Sequence, residues 1–148
     1  MNKRILIVED DSIVALDIQG CLSRLGHTVV GTTDRGDDAV SMSGELRPDL
    51  VLMDIRLKSD VDGVTAAQQI RDHFQIPVVY LTVYSDEATL RRAEITEPFG
   101  YVNKPFDELE LQVVVDTALR KHEAERRSDQ ESVCEGAKRE VALLSGEE

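Results

Sequence analysis

The sequence predicts an α/β domain, a parallel sheet with crossover helices on both faces, and three observations carry that prediction. Four short apolar runs, Ile5-Leu6-Ile7-Val8, Leu50-Val51-Leu52-Met53, Val78-Val79-Tyr80-Leu81 and Tyr101-Val102, have the unbroken apolar character of strands buried on both sides. Between them lie stretches with apolar residues at helical spacing, so strand and helix alternate over roughly the first 120 residues. Each run also stops on, or leads to, a polar residue: Glu9-Asp10, Asp54, Thr82 and Lys104-Pro105. In an open α/β sheet ligands sit outside the carboxyl ends of the strands, so acids, a hydroxyl and a lysine would meet at one edge.

Each element has a local reason. The first helix is expected to start near Ser12, with Val14, Ile18, Cys21 and Leu25 forming an apolar face, and to end at Gly26. His27-Thr28-Val29-Val30 reads as the second strand. A second helix from about Gly36 to Leu46 stops ahead of Arg47-Pro48, because the residue before proline disfavours helical geometry. The third strand ends on Asp54 and a polar loop follows. Ala66, Ala67 and Ile70 then mark a helix around Val64 to His73, and Pro77 opens strand four. Asp86 is the expected cap of a fourth helix through Ala93, Phe99 to Val102 the short fifth strand, and Asp107 the cap of the last helix, whose buried face is Leu111, Val114, Val115 and Ala118. Residues 1 to 120 are thus read as one domain and 121 to 148 as a charged helical extension or flexible tail. Within that tail Ser132 and Glu135 form a capping box ahead of a short amphipathic segment, Val133 to Leu144.

Composition narrows the function. The 148 residues hold 17 Lys and Arg against 29 Asp and Glu, a formal charge of -12, which argues against direct binding to nucleic acid or an anionic membrane. Cys21 and Cys134 make no metal-ligand cluster and fit a reduced protein. The first apolar stretch is only four residues long before Glu9-Asp10-Asp11, so no signal-peptide core and no membrane span is expected, and the expected compartment is the cytoplasm.

The strand-end residues suit one chemistry. A carboxylate such as Asp54 can attack phosphorus to give an aspartyl phosphate, but an anionic phosphoryl group and a cluster of acids repel each other. Magnesium relieves both problems, because it takes oxygen ligands from carboxylates, water and phosphate together. Asp10 and Asp54 are the candidate direct ligands, Glu9 binds directly or through water, and the backbone carbonyl of Arg56 is a fourth candidate. Lys104 supplies a compact positive charge for a phosphoryl oxygen and Thr82 a hydroxyl donor. Singly, an acid at a strand end is usually a cap or a loop residue. Their joint appearance, in order, at four strand ends favours a site.

Residues 1 to about 120 resemble the receiver domain of two-component response regulators, through ILIVEDD at 5 to 11, DLVLMDIRL at 49 to 57, YLTVYSD at 80 to 86 and FGYVNKPF at 99 to 106. The resemblance implies a doubly wound, flavodoxin-like three-layer sandwich with a five-stranded sheet in the order 2-1-3-4-5. It also implies magnesium-dependent phosphorylation of Asp54 by a histidine kinase or phosphotransfer protein. By the same resemblance Glu9 and Asp10 are the metal-holding acid pair, Thr82 the switch hydroxyl, Tyr101 the switch aromatic and Lys104 the phosphate-binding lysine, with a cis Lys104-Pro105 bond. Such a protein is a signalling switch that catalyses only its own phosphorylation and dephosphorylation. Its fourth helix, fifth strand and fifth helix would meet a downstream protein or a second copy of the chain.

Two rivals are weaker. A phosphatase of the haloacid-dehalogenase type needs a second acid two residues after its nucleophile, where Arg56 stands. A receiver that binds partners without phosphorylation would have lost part of the set, and Glu9, Asp10, Asp54 and Lys104 are all present. Fewer than 30 residues follow the domain, with five basic and eight acidic side chains giving -3, too few and too acidic for a DNA-binding effector. The chain is therefore read either as a single-domain regulator or as the first module of a longer sensor or kinase protein.

Three positions depart from the commonest receiver pattern. Glu9 replaces an aspartate; the loop after Asp54 has Lys58 where proline is common, with Gly63 one place late; and Val83 follows Thr82 where a small residue is usual. Arg56, Val83 and Tyr84 flank the opening and are the candidate rate-tuning residues. A β-branched Val83 narrows the approach to the phosphoryl group, so Val83→Ala is expected to speed loss of phosphate from Asp54. Equal dephosphorylation rates in the two proteins would remove the idea.

Overall fold

The computed structural model describes residues 2–57, 60–82 and 87–144, with side chains as far as residue 126. Five parallel strands, β1 (Arg4–Val8), β2 (Thr28–Thr33), β3 (Leu50–Asp54), β4 (Val78–Thr82) and β5 (Gly100–Asn103), form one sheet in the order β2-β1-β3-β4-β5. Helices α1 (Ser12–Arg24), α2 (Gly36–Leu46), α3 (Gly63–Phe74), α4 (Glu87–Ile95) and α5 (Glu108–Leu144) alternate with them. This is the doubly wound order expected from the sequence.

Side chains alternate across the sheet and fill two cores. Leu6, Val8, Val51, Met53 and Tyr80 pack with Ala39 of α2, Ala66 and Ile70 of α3 and Ala93 of α4. On the other face Ile5, Ile7, Leu52, Leu81 and Val102 meet Ile18 and Leu22 of α1 and Leu111, Val115 and Ala118 of α5. Every residue of β3 and β4 is buried, which explains their unbroken apolar runs. Each large side chain placed there contributes roughly 1.5–3 kcal/mol.

The helix ends follow the expected chemistry. Asp11 caps α1 by accepting from the Ile13 and Val14 amides, Asp62 caps α3 through Thr65, and Asp107 caps α5 through Glu110. Gly26 turns the chain after α1 at φ +88. The Lys104–Pro105 bond is cis.

Two expectations are corrected. β2 runs through Thr33 rather than stopping at Val30; a register shift between Ile5 and Leu6 skips Val30, and Leu6 pairs with Gly31 to carry the ladder on. The capping box read at Ser132 and Glu135 lies inside a helix rather than at the start of one, because α5 runs unbroken from Glu108 to Leu144 with no proline between them. Past residue 120 that helix still meets the domain: His122 Nε2 lies 3.2 Å from the Gln75 carbonyl, and Lys3 Nζ lies 3.2 Å from Glu123 Oε1. The expected cap Asp86 lies outside the described residues.

His27 is a buried polar residue at the start of β2. Its Nδ1 accepts the Lys3 amide at 3.2 Å, and burial holds its pKa below the ordinary imidazole value despite Asp116, 3.9 Å from Nε2. A histidine with a lowered folded pKa stabilises the fold fully above its unfolded pKa of about 6.5, and that stability is lost as pH falls through it. The denaturant midpoint should therefore drop between pH 7.5 and 5.5, and drop less in His27→Gln; equal pH slopes for the two proteins would show that His27 carries none of the effect.

Candidate functional site

The carboxyl ends of β1, β3, β4 and β5 bring the predicted polar residues to one edge. Glu9 follows β1 and still pairs with β2, its amide donating to the Thr33 carbonyl at 2.9 Å. Asp54 is the last residue of the central β3, and Thr82 ends β4. The Lys104 amide donates to the Thr82 carbonyl at 2.8 Å, so the ladder itself sets Lys104 beside Thr82. Glu9, Asp54 and Thr82 are buried, and Asp10 is half-buried.

Three carboxylates converge there. Oxygens of Glu9, Asp10 and Asp54 lie within 4.8 Å of one another. Asp11, third in the acidic run, turns away to cap α1. The Asp54 side chain is held at both oxygens: Oδ1 accepts the Arg56 amide at 3.0 Å, and Oδ2 lies 3.3 Å from Lys104 Nζ. That amide bond places the Arg56 backbone beside the Asp54 carboxylate. A cleft of about 450 Å³ between α1 and the end of β2 opens onto Glu9 and Asp10.

Lys104 makes its shortest contacts with Glu9, at 2.6 and 2.9 Å to the two oxygens. The sequence offers no signal for this pairing, because Glu9 is there read only as a metal ligand; a glutamate arm in place of aspartate is the feature that permits it. Burial works against the charge on Lys104, but its hydrogen bond to Glu9 and the two carboxylates outweigh that and raise its pKa. Burial first, and the adjacent Asp54 next, push Glu9 up to about 8 against the pull of Lys104. The two shifts favour opposite proton positions, and the geometry decides between them. Both Glu9 oxygens accept from the ammonium, the pattern of a carboxylate, so the proton stays on Lys104. The upward push on Glu9 reflects the repulsion of a second buried anion beside Asp54.

This all-oxygen donor set fits a hard divalent cation such as magnesium. Gly63 tightens the frame. A Cβ there would strike the Asp54 carbonyl oxygen and crowd the Ile55 backbone, so the first residue of α3 must be glycine for the helix to start this close to Asp54. The one-residue-longer loop thus ends on a fixed contact.

Tyr101 pairs with Tyr80 across β4 and β5, its ring half-buried against the α4 side of the sheet. The structure therefore groups Glu9, Asp10, Asp54, Arg56, Thr82 and Lys104, with Tyr101 two register positions behind Thr82. Val83 and Tyr84 lie outside the described residues.

A model of the response regulator receiver domain matches residues 5–116. The chain belongs to that family. The phyllosphere-induced regulator PhyR of Methylorubrum extorquens is 32% identical over 130 residues, covering 87% of this chain and 48% of PhyR. The transcriptional regulatory protein PdtaR of Mycobacterium tuberculosis is 32% identical over 117 residues, covering 79% and 57%. The chain spans about half the length of these relatives. The receiver domain of a modulated diguanylate cyclase from Desulfovibrio desulfuricans G20 superposes with a TM-score of 0.81 at 34% identity, over 84% of this chain and 99% of that one. The N-terminal domain of a response regulator/sensory box/GGDEF 3-domain protein from Carboxydothermus hydrogenoformans gives 0.76 at 40% identity, over 83% and 98%. Receiver domains act in two-component signalling, and this chain carries one.

Proposed function

We propose that this receiver takes a phosphoryl group from a phosphohistidine of a kinase or phosphotransfer protein onto Asp54. The observation that carries the reading is the cluster itself: three carboxylates within 4.8 Å at the sheet's carboxyl edge, with Lys104 bonded to Glu9 and Asp54. A carboxylate oxygen of Asp54 forms a bond to phosphorus as the bond from phosphorus to the histidine nitrogen breaks, and that nitrogen leaves with its electron pair. Glu9, Asp10, Asp54 and the Arg56 carbonyl would hold magnesium, whose charge offsets the repulsion between acids and phosphoryl group. Lys104 would move from Glu9 to a phosphoryl oxygen, and the buried Thr82 hydroxyl would donate to another.

A phosphoryl group adds roughly -1.5 to -2 charges, enough to redirect Thr82 and, two register positions back, Tyr101. The surface of α4, β5 and α5 then changes for a downstream protein or for a second copy of the chain. The protein is not an enzyme toward other substrates, and its net charge of -12 disfavours direct contact with nucleic acid or membrane. Among the described residues no helix is long and apolar enough to cross a membrane, in keeping with action in the cytoplasm. Because α5 continues unbroken past residue 120, the domain of residues 1–120 is also suited to be the first module of a longer sensor or kinase protein, with residues 121–148 as the connecting extension.

Incubation with magnesium and a small acyl phosphate should add one phosphoryl group to the wild type and none to Asp54→Asn, read by intact mass. Equal uptake by the two proteins would overturn the assignment of Asp54. Thr82→Ala should take up the group yet show little of the wild-type amide-shift response in α4, β5 and α5; a full response in that variant would contradict the proposed coupling.

A further inference from the structure

The buried polar group that the phosphorylation chemistry leaves unused is the hydroxyl of Tyr80. Tyr80 lies two residues before Thr82 on the same face of β4 and is fully buried. Its Oη is 2.8 Å from Thr96 Oγ1, and the Thr96 hydroxyl donates to the Ala93 carbonyl at 2.6 Å. Since Thr96 spends its proton on Ala93, Tyr80 is the donor in the other bond. A directed chain thus runs from β4 to the Ala93 carbonyl in the last turn of α4, which also accepts the Thr96 amide at 3.0 Å. Burial pushes the Tyr80 phenol up to about 12, so the hydroxyl keeps its proton for this bond at physiological pH.

A second contact grips the same place. Arg71 of α3 donates from Nη1 to the Thr96 carbonyl at 2.8 Å and from Nη2 to Glu97 Oε2 at 2.6 Å. Glu97 itself sits at φ +52, a left-handed conformation that a non-glycine residue holds only where its surroundings fix it. Tyr101 presents the opposite case. Its ring lies 5.9 Å from that of Tyr80 in a tilted pair, yet its buried hydroxyl has no hydrogen-bond partner among the described residues. One tyrosine of the pair is tied to α4, whereas its neighbour's hydroxyl meets no polar group among the described residues.

We infer that Tyr80 is a positioning residue: through Thr96 it pins the C-terminal end of α4 to the sheet, so that Tyr101 moves against a fixed wall and α4 responds by pivoting about its last turn. This inference rests on the proposed phosphorylation of Asp54 for its pivot, but not for the pin itself. An anchored far end and a start only five residues after Thr82 in the chain make α4 a lever rather than a rigid sliding rod.

The test is amide hydrogen exchange on the full chain, first without phosphorylation. Tyr80→Phe keeps the ring and removes the hydroxyl, so the amides of Ala93 to Glu97 should exchange roughly five- to tenfold faster, the factor for losing one hydrogen bond, with β4 and α3 unchanged. Thr96→Val should behave the same way, whereas Thr96→Ser, which keeps the hydroxyl, should match the wild type. Unchanged exchange at Ala93 to Glu97 in both Tyr80→Phe and Thr96→Val overturns the pin. With magnesium and beryllofluoride as phosphoryl mimic, wild-type shifts should be large at Glu87 to Leu90 and small at Ala93 to Glu97, and Tyr80→Phe should spread them along the helix. An identical shift pattern in the two proteins overturns the pivot. Absence of any shift in the wild type would instead overturn the phosphorylation reading, while the exchange data decide the pin separately.

Discussion

The constraint on which this structure depends is electrostatic: Glu9, Asp10 and Asp54 sit within 4.8 Å of one another at the edge of a low-dielectric sheet, and Lys104 is the cation bonded into their midst. One ammonium cannot balance three carboxylates. Two like charges about 4 Å apart interact with roughly 4 kcal/mol at an effective dielectric near 20, so such a cluster survives only if the fold enforces it. The two apolar cores provide the enforcement. Strands β1 and β3, buried on both faces, carry Glu9, Asp10 and Asp54 to the edge whether or not those groups attract each other.

The site is therefore poised toward more positive charge. Lys104 takes both oxygens of Glu9 and only one of Asp54, so the ammonium grips Glu9 more tightly than Asp54. The longer glutamate arm brings both Glu9 oxygens to Lys104, and on the proposed function the lysine would have to leave Glu9 to meet a phosphoryl group. Gly63 and the Arg56 amide complete the frame by fixing the backbone and one oxygen of Asp54 from the opposite side.

Much of this was legible in the sequence, for reasons that differ by element. Strands β1, β3 and β4 were readable because burial on both faces leaves unbroken apolar runs, and the site was readable because each run ends on its functional residue. β2 was read short, since the sequence cannot display the register shift at Val30 that lets an edge strand continue through Gly31. Ser132 and Glu135 have the spacing of a helix start, but they lie inside α5, and a helix already under way has no need of a cap. The Glu9–Lys104 pair, 95 residues apart, and the chain from Tyr80 through Thr96 to Ala93 depend on tertiary proximity, to which local pattern is blind.

The central claim, a charge-deficient cation site built from Glu9, Asp10 and Asp54, is tested most directly by an NMR titration with magnesium at fixed ionic strength. The account predicts saturable shifts confined to Glu9, Asp10, Asp54, Arg56 and Lys104. Shifts that fail to saturate and scatter over surface acids such as Asp37 and Glu87, with none at the sheet edge, would contradict it.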